Sequence, residues 1–283
     1  MRILSIQSSV AYGHVGNSAA TFPLQRLGHE VWPVHTVVLS NNTGYPTWGG
    51  PLLTPDDVRE VIAGIADRGV LATCDAVLSG YLGDPGVCEV VVDAVALVKA
   101  ANAHATYTCD PVMGNATSGC FVDPAIPPIL RERVVPVADV ITPNQFELGL
   151  LTGSSPDSLE STLRSADAAR AMGPATVLVT SMRRRDHPED TIEMLAVTGE
   201  GSWTVRTPRH PLKANGAGDL TAALFTAHLG QTGSAADALA ATASSVYAVL
   251  SATLESGESE LRIVSAQDAI AHPDCEFEVE QVR

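Results

Sequence analysis

The chain has 283 residues, of which 45% are hydrophobic, and a formal net charge of -15 at pH 7. This length is sufficient to bury one sizeable core, so we expect residues 1–283 to form one domain. The negative charge argues against nucleic acid or an anionic membrane as a partner, because affinity for both depends largely on cationic surface.

The N-terminus begins with an apolar, strand-like run and lacks the basic region and cleavage signal of a secretory leader. We also expect that no stretch approaches the charge-free apolar length that crosses a bilayer. A cytoplasmic protein is therefore expected. The five cysteines are odd in number and form no Cys-x-x-Cys pair, which indicates reduced, mostly buried thiols rather than disulfides or structural zinc.

Short apolar runs alternate along the chain with longer segments of helical periodicity. The apolar runs predict strands at residues 3–6, 31–39, 76–78, 106–109, 140–141 and 176–179. The periodic segments predict helices at residues 17–28, 55–67, 86–102, 125–135, 144–152 and 158–172. Strand and helix repeated in this order predict an α/β fold, with a mostly parallel sheet covered by helices on both faces.

The C-terminal part of the chain has a different pattern. Residues 191–205 resemble a β-hairpin, which predicts an antiparallel edge on the sheet. Two helices rich in small residues are expected at 220–229 and 235–254, and the second is interpreted as a packed core helix. Segments rich in charge are interpreted as solvated surface: residues 183–185, 255–260 and 274–280.

The segment Asn215-Gly216-Ala217-Gly218-Asp219 directly precedes the first of these two helices. Its small residues permit close approach of a ligand to the backbone, and N–H groups at a helix start attract anions. Asp219 would repel phosphate, but it is well placed to take a proton from a hydroxyl group that attacks phosphate. The pattern suggests a kinase, although a glycine-rich helix start with a first-turn acidic residue explains this segment equally well when it is taken alone.

Two other nucleotide-binding motifs are excluded by their spacing. The only lysines are Lys99 and Lys213, and neither lies in the Gly-x-x-x-x-Gly-Lys-Ser/Thr arrangement of a P-loop. The segment Gly13-His14-Val15-Gly16 follows the first strand, but it lacks the Gly-x-Gly-x-x-Gly spacing of dinucleotide-binding oxidoreductases. Backbone amides and a metal ion are therefore left to hold nucleotide phosphates.

Polar residues and glycines follow nearly every predicted strand, where ligands bind in parallel α/β sheets. The motifs are Gln7-Ser8 with Tyr12-Gly13-His14-x-Gly16-Asn17, Ser40-Asn41-x-Thr43-x-Tyr45, Ser79-Gly80-Tyr81-Leu82-Gly83, Cys109-Asp110-Pro111-Val112-Met113-Gly114, Pro143-Asn144-x-x-Glu147 and Gly216-Ala217-Gly218-Asp219. Together they resemble the pyridoxal kinase family, which has the ribokinase-like fold, from residue 3 to about residue 270. The last three motifs are shared widely among ribokinase-like enzymes, whereas the Tyr-Gly-His and Ser-Gly-Tyr-Leu-Gly segments point to vitamin B6.

The resemblance implies ATP-dependent phosphorylation of the 5′-hydroxymethyl group of pyridoxal, giving pyridoxal 5′-phosphate in vitamin B6 salvage. It implies that Asp219 is the general base. The amides of Gly216, Ala217 and Gly218 would form the anion hole for the transferring phosphoryl group. The family likeness also implies a homodimer.

The resemblance further implies that Asp110 and Glu147 hold Mg²⁺ through water, with Asn144 able to share the same shell. Taken alone, Asp110 is better explained as a strand-end cap and Glu147 as a first-turn helix charge, but their joint presence at two strand ends favours the metal. The residues expected near ATP are Asp110, Thr142, Asn144, Glu147, Thr180 and the adenine-side segment Thr207, Pro208, Arg209 and His210. A monovalent cation such as K⁺ is expected beside the phosphates.

For the pyridine ring, the resemblance points to Ser8, Thr43 and Gly44 as hydrogen-bonding positions and to Tyr81 as a flat wall. Residues 40–50 resemble the mobile flap of the family, which would exclude water from bound ATP. The chain has Thr180 where some bacterial relatives have lysine, so one phosphate-directed charge is absent.

Two alternative functions remain open on the sequence. A hydroxymethylpyrimidine kinase of thiamine biosynthesis needs the same catalytic machinery and differs only in its ring pocket. A non-catalytic protein could bind pyridoxal or its phosphate as a reservoir or sensor, but such a protein has no use for Asp219 beside an anion hole.

Overall fold

The computed structural model describes residues 1–185 and 187–283. Its strands are β1 (Arg2–Val10), β2 (Glu30–Leu39), β3 (Ala76–Ser79), β4 (Thr106–Cys109), β5 (Gly114–Asn115), β6 (Gly119–Cys120), β7 (Val140–Ile141), β8 (Thr176–Met182), β9 (Thr191–Val197), β10 (Ser202–Pro208) and β11 (Val279–Gln281). Its α-helices are α1 (Asn17–Arg26), α2 (Pro55–Ala66), α3 (Pro85–Ala101), α4 (Ile126–Ile129), α5 (Gln145–Thr152), α6 (Leu159–Arg170), α7 (Ala217–Thr232), α8 (Ala235–Ser256) and α9 (Gln267–Ala271).

Within residues 1–185 and 187–283, the main sheet has nine strands in the order β11-β10-β9-β8-β7-β4-β3-β1-β2. Strands β8, β7, β4, β3, β1 and β2 are parallel to one another. Strands β9, β10 and β11 continue the sheet beyond β8 as an antiparallel edge. Strands β5 and β6 form a separate hairpin. The predicted mixed sheet, with its hairpin near residues 191–205, is confirmed.

Helices cover both faces of the sheet, which gives three layers. Helices α2, α3, α5 and α6 contribute buried side chains to the core on one face, and α1, α7 and α8 contribute to the core on the other. Strand β3, in the interior of the parallel part of the sheet, is buried along its whole length. Such burial is expected where helices pack on both faces of a parallel sheet.

The helix predicted at residues 125–135 is irregular. A four-residue α4 is followed by a π turn at Leu130–Val134 and a 3-10 turn at Val135–Val137. Pro127, Pro128 and Pro136 lie in this segment. Pro127 and Pro128 lie in the first turn of α4, where an N–H has no acceptor within the helix, so they do not interrupt it. Pro136 has no N–H to donate to the carbonyl of Glu132, so regular α-helical hydrogen bonding cannot continue through it.

Helix α8 corrects the expectation that no segment could span a membrane. By length and composition Ala235–Ser256 is apolar enough to do so, and 50% of its apolar window is buried inside the described structure. Its inner side chains pack with those of α7 and of the antiparallel edge of the sheet. A core helix of a soluble protein can have the same length and apolar composition, so these two properties of α8 are weak support for a membrane span.

The cysteine prediction is confirmed, because all five are free thiols and Cys74, Cys88 and Cys109 are buried. The acidic segment at 274–280 is largely exposed, as predicted, but the sequence does not reveal that it leads into β11. This strand pairs with β10 over three residues. Besides these backbone pairings, Val279 and the preceding Phe277 pack against the core on one face of the sheet.

Candidate active site

The residues after the parallel strands meet at one edge of the sheet, where their backbones are joined. The N–H of Asp110 donates to the carbonyl of Ser79 at 2.9 Å, and the N–H of Thr142 donates to the carbonyl of Cys109 at 3.1 Å. The N–H of Thr180 donates to the carbonyl of Pro143 at 2.9 Å. These bonds place Asp110, Thr142 and Thr180 along a continuous row, as expected for the ligand-binding edge of an α/β sheet.

The glycine-rich segment forms the start of α7, slightly earlier than predicted. Gly216 is the N-cap residue with a left-handed φ of 88°, and among the described residues no side chain caps this helix. The first N–H groups of an α-helix lack acceptors within the helix. The N–H of Leu220 bonds to the carbonyl of Gly216 at 2.9 Å, so the N–H groups before it are left to bind an anion.

Three carboxyl groups influence one another at this site. Burial raises the pKa of Asp219 to about 6, while N–H groups of Gly16 and of Asp219 itself oppose the shift. Burial raises the pKa of Asp110 well above its ordinary value, with further contributions from the charges of Glu147 and Asp219. A site with this much negative charge is suited to a cation.

Glu147 is held by backbone groups from two segments. Its Oε1 accepts from the N–H of Met113 at 2.9 Å and of Gly114 at 3.2 Å, and its Oε2 accepts from the N–H of Asn144 at 3.0 Å. Burial raises the pKa of Glu147 to about 7, and these three N–H groups oppose the shift. Both carboxylate oxygens are therefore fixed in direction.

Asn144 is the N-cap of α5 and completes a capping box with Glu147. Its Oδ1 accepts from the N–H groups of Phe146 and Glu147, and its Nδ2 donates to the carbonyl of Gly114 at 2.8 Å. The side chain of Thr142 donates to Asp110 Oδ1 at 3.1 Å. In the part of the chain that the structure describes, no three His, Cys, Asp or Glu residues are arranged to hold a metal by themselves. An ion at Asp110 and Glu147 would keep several waters, as Mg²⁺ commonly does.

A cavity of about 240 Å³ opens beside the start of α7. Of the residues that the sequence assigns to ATP, Thr180 and the adenine-side segment line it, whereas Asp110, Thr142, Asn144 and Glu147 do not. The lining residues include Thr180, Thr207, Pro208, Arg209, His210, Ala217 and Gly218. The cavity shows that the adenine-side segment, whose match to the family is only approximate, lies next to the glycine-rich loop.

Helix α8 supplies residues to this cavity that sequence reasoning missed. Tyr247 lines it, together with Val246 and Leu250, and the Tyr247 ring stacks on His210 at a centroid distance of 4.7 Å. The interpretation of α8 as packing alone is thus incomplete. The one signal in the sequence is a single aromatic residue in a helix of small and aliphatic residues.

The four positions expected at the pyridine ring have different surroundings. Ser8 is buried in β1, and Tyr81 is half-buried after β3, the strand that pairs with β1. Burial raises the pKa of Tyr81. Thr43 and Gly44 are exposed on the loop after β2. The N–H of Gly44 donates to Asn42 Oδ1 at 3.0 Å, and that oxygen also accepts from Asn215 at 2.9 Å, so this loop is joined to the glycine-rich segment.

Arg184 corrects the interpretation of residues 183–185 as solvated. Its side chain is 8% exposed and that of Glu193 is 2% exposed, with Nε and Oε2 at 2.7 Å. Arg206 Nε lies 3.0 Å from Oε1 of the same carboxylate. A buried carboxylate requires pairing of this kind, and the pairing is visible only once β9 lies beside the loop.

Glu260 is a second correction, in the segment predicted to be solvated. It is 9% exposed and accepts hydrogen bonds from the loops after β1 and β2. Nothing in the local acidic pattern distinguishes it from its exposed neighbours, because its partners lie more than two hundred residues away in the chain.

Comparison with known proteins agrees with the fold. A family model described as phosphomethylpyrimidine kinase matches residues 48–263. Pyridoxal kinase PdxY of Leifsonia xyli subsp. xyli is 68% identical over 282 residues, covering 100% of both chains. Pyridoxal kinase PdxY of Corynebacterium diphtheriae is 59% identical over 282 residues, again covering 100% of both. The structure of pyridoxal kinase from Leishmania donovani in complex with ADP and pyridoxamine has a TM-score of 0.93 at 29% identity, covering 100% of this chain and 99% of that one.

The sheet lies between two layers of helices, and Asp219 lies in the glycine-rich first turn of α7; together these features define a kinase of the ribokinase-like fold. The sequence identity of 68% to a pyridoxal kinase, over the full length of both chains, identifies the family within this class of kinases. The chain belongs to the pyridoxal kinase family.

Proposed function

We propose that this chain transfers the γ-phosphoryl group of ATP to the 5′-hydroxymethyl oxygen of pyridoxal, forming pyridoxal 5′-phosphate for vitamin B6 salvage. The observation that carries this proposal is the position of Asp219 in the first turn of α7, beside N–H groups that no side chain caps among the described residues. A base and an anion-binding helix start at one point are what hydroxyl phosphorylation requires.

In this reaction Asp219 takes the proton of the 5′-hydroxyl group as its oxygen attacks the γ-phosphorus. The new O–P bond forms as the bond to the bridging oxygen of ADP breaks. A pKa of about 6 leaves Asp219 ionised at neutral pH and more basic than an ordinary aspartate. The N–H groups of Gly216, Ala217 and Gly218 stabilise the charge that develops on the phosphoryl oxygens.

We assign the metal site to Asp110 and Glu147, with Asn144 at its border. The chemistry of these donors fits Mg²⁺, because buried carboxyl groups that raise one another's pKa gain most from a divalent cation. When bound, Mg²⁺ supplies charge neutralisation for the triphosphate. Glu147 contributes a fixed carboxylate held by three N–H groups. We also propose a monovalent cation such as K⁺ near the phosphates, on family likeness alone.

We place ATP along the row from Thr142 to Thr180 and in the adjoining cavity of about 240 Å³. The adenine side is assigned to the segment Thr207, Pro208, Arg209 and His210, which lines that cavity. The pyridine ring is assigned to the other side of Asp219. Ser8, Thr43 and Gly44 would offer hydrogen bonds there, and Tyr81 would offer a flat contact.

We further propose that residues 1–283 act as one kinase domain whose loop at 40–50 is a flap over the site. Nine strands in one sheet and cores on both of its faces support a single unit. A homodimer and a cytoplasmic location are proposals from family likeness. The net charge of -15 supports small molecules, not nucleic acid or membrane, as partners.

The test is ATP-dependent formation of pyridoxal 5′-phosphate, followed by its absorbance, with hydroxymethylpyrimidine assayed in parallel. The second substrate is included because the matching family model is described by a pyrimidine. Turnover of pyridoxal supports the proposal. Turnover of the pyrimidine alone would move the enzyme to thiamine biosynthesis, and binding of pyridoxal without turnover of either would indicate a reservoir or sensor.

A further inference from the structure

Two loops of the site converge on the side chain of Glu260, which follows α8. Its Oε2 accepts from the N–H of His14 at 3.1 Å, in the loop after β1. Its Oε1 accepts from Asn42 Nδ2 at 2.9 Å and from the Tyr45 hydroxyl at 2.9 Å, both in the loop after β2. One buried carboxylate therefore joins segments that lie far apart in the sequence.

Asn42 carries the contact onward to the glycine-rich segment. It is 6% exposed, and its Oδ1 accepts from Gly44 N–H at 3.0 Å and from Asn215 Nδ2 at 2.9 Å. Because a carboxylate only accepts hydrogen bonds, Glu260 forces Asn42 to present its NH₂ group to it and its oxygen to Gly44 and Asn215. Asn215 directly precedes Gly216, the N-cap of α7.

Close backbone packing surrounds this chain of hydrogen bonds. A Cβ atom on Gly13, at a φ of +89°, would lie 2.1 Å from Glu260 Oε2. A Cβ atom on Gly44 would lie 2.7 Å from Asn215 Nδ2 and 2.8 Å from Asn42 Oδ1. The glycines leave space for the carboxylate and the two amides, and little space for any other arrangement.

We propose that Glu260 is a positioning residue for phosphoryl transfer: through Asn42 it orders the 40–50 loop over the pyridoxal side of the site and aligns that loop with the start of α7. This inference rests on the proposed function. It assigns no contact between Glu260 and a reacting atom, and it adds to the site a residue that no motif of the sequence indicates.

The Glu260→Gln variant tests the proposal with little change in volume. Glutamine keeps one acceptor oxygen but places an NH₂ group against either the His14 N–H or the Asn42 Nδ2, so a donor faces a donor in both orientations. We expect amide hydrogen exchange in residues 40–50 to accelerate. We expect the KM for pyridoxal to rise about tenfold, with a smaller change in the KM for ATP.

Glu258→Gln is the matched control, because Glu258 lies in the same segment and is exposed. Glu258→Gln should leave the amide hydrogen exchange of residues 40–50 and the KM values for pyridoxal and ATP as they are in the wild type. Tyr45→Phe removes the hydroxyl group that donates to Glu260 and lies 3.2 Å from Ser259 Oγ, and it remains informative if Glu260→Gln folds poorly. It should raise the KM for pyridoxal by about threefold.

A double-variant cycle with Asn42→Ala separates positioning from general destabilisation. If Glu260 acts through Asn42, adding Glu260→Gln to Asn42→Ala costs little further kcat/KM, whereas independent effects would multiply. Unchanged exchange in Glu260→Gln, or faster exchange with an unchanged KM for pyridoxal, would overturn the proposal. Wild-type protein inactive on pyridoxal would instead overturn the proposed function, and the exchange comparison, which needs no turnover, would still decide whether Glu260 orders the loop.

Discussion

Gly216 lies directly against the backbone carbonyl oxygen of His14: a Cβ atom at Gly216 would lie 1.8 Å from that oxygen. The residue also has a φ of +88°, which side chains rarely adopt. The contact joins the loop after β1 to the start of α7. The proposed anion hole is thus built at a point where only glycine fits, for both steric and conformational reasons.

Gly216→Ala is expected to lower the free energy of unfolding by more than the roughly 1–3 kcal/mol typical of a strained backbone, and to abolish most activity. The matched control is Gly28→Ala, because Gly28 has a φ of +84° but no atom within 4 Å of the position that a Cβ would take. Urea denaturation of both variants separates the clash from the strain. Equal losses of stability would show that the His14 contact contributes nothing.

Asp219→Asn is expected to lower kcat by about 100- to 10,000-fold, because it removes the base while keeping the shape of the side chain. The measurement is steady-state formation of pyridoxal 5′-phosphate. Asp237→Asn, at an exposed first-turn aspartate of α8, is the control and should keep wild-type activity. Retention of kcat within about tenfold in Asp219→Asn would rule out Asp219 as the base.

The rate is also expected to depend on pH through Asp219. Burial raises the pKa of this group to about 6, and only its ionised form accepts a proton. The ratio kcat/KM for pyridoxal, which reports ionisation of the free enzyme, should therefore be level above that pH and fall by about tenfold per pH unit below it. A profile from pH 5 to 8 checks this, and a level profile down to pH 5 would contradict the assignment.

The same shift predicts that Asp219→Asn stabilises the fold in a pH-dependent way. Because the pKa is higher in the folded than in the unfolded protein, ionisation of Asp219 opposes folding as pH rises through about 6. The variant escapes this effect. The thermal midpoint of Asp219→Asn should exceed that of the wild type most at pH 8 and less at pH 5. A difference that instead grows toward pH 5 would contradict a raised pKa of Asp219 in the folded protein.

Asp110 and Glu147 are expected to differ when each loses its charge. Glu147→Gln turns one of three accepted N–H bonds into a donor–donor contact, which should lower the free energy of unfolding by about 1–3 kcal/mol. Asp110→Asn removes a buried carboxyl group with a strongly raised pKa and keeps an oxygen for Thr142, so the free energy of unfolding, measured by urea denaturation, should not fall.

Both variants, Asp110→Asn and Glu147→Gln, should raise the Mg²⁺ concentration that gives half-maximal rate, as measured by titration with Mg²⁺. An unchanged Mg²⁺ requirement in both would remove them from the metal site.

Much of the fold could be predicted from the sequence because its signals are local. Short apolar runs are enough to locate strands such as Thr106–Cys109 and Val140–Ile141. The rule that parallel strands end at one edge then brings Asp110, Thr142 and Thr180 into one row. The irregular segment at residues 125–137 is also explained locally, since Pro136 cannot donate the N–H bond that would continue a regular helix.

The sequence by itself determined which chemical groups are available: a carboxylate in a glycine-rich helix start, acidic residues after two strands, and an alternation of strand and helix. Only the tertiary structure decided which charged side chains are buried and what they hold. Glu260 and Arg184 each resemble surface residues in the sequence, yet the side chain of each is buried: Glu260 is held by loops from the other end of the chain, and Arg184 is paired with Glu193 of β9. The physical reason is that the pairing of a buried charge depends on distances in space. Local sequence pattern and periodicity carry no information about those distances.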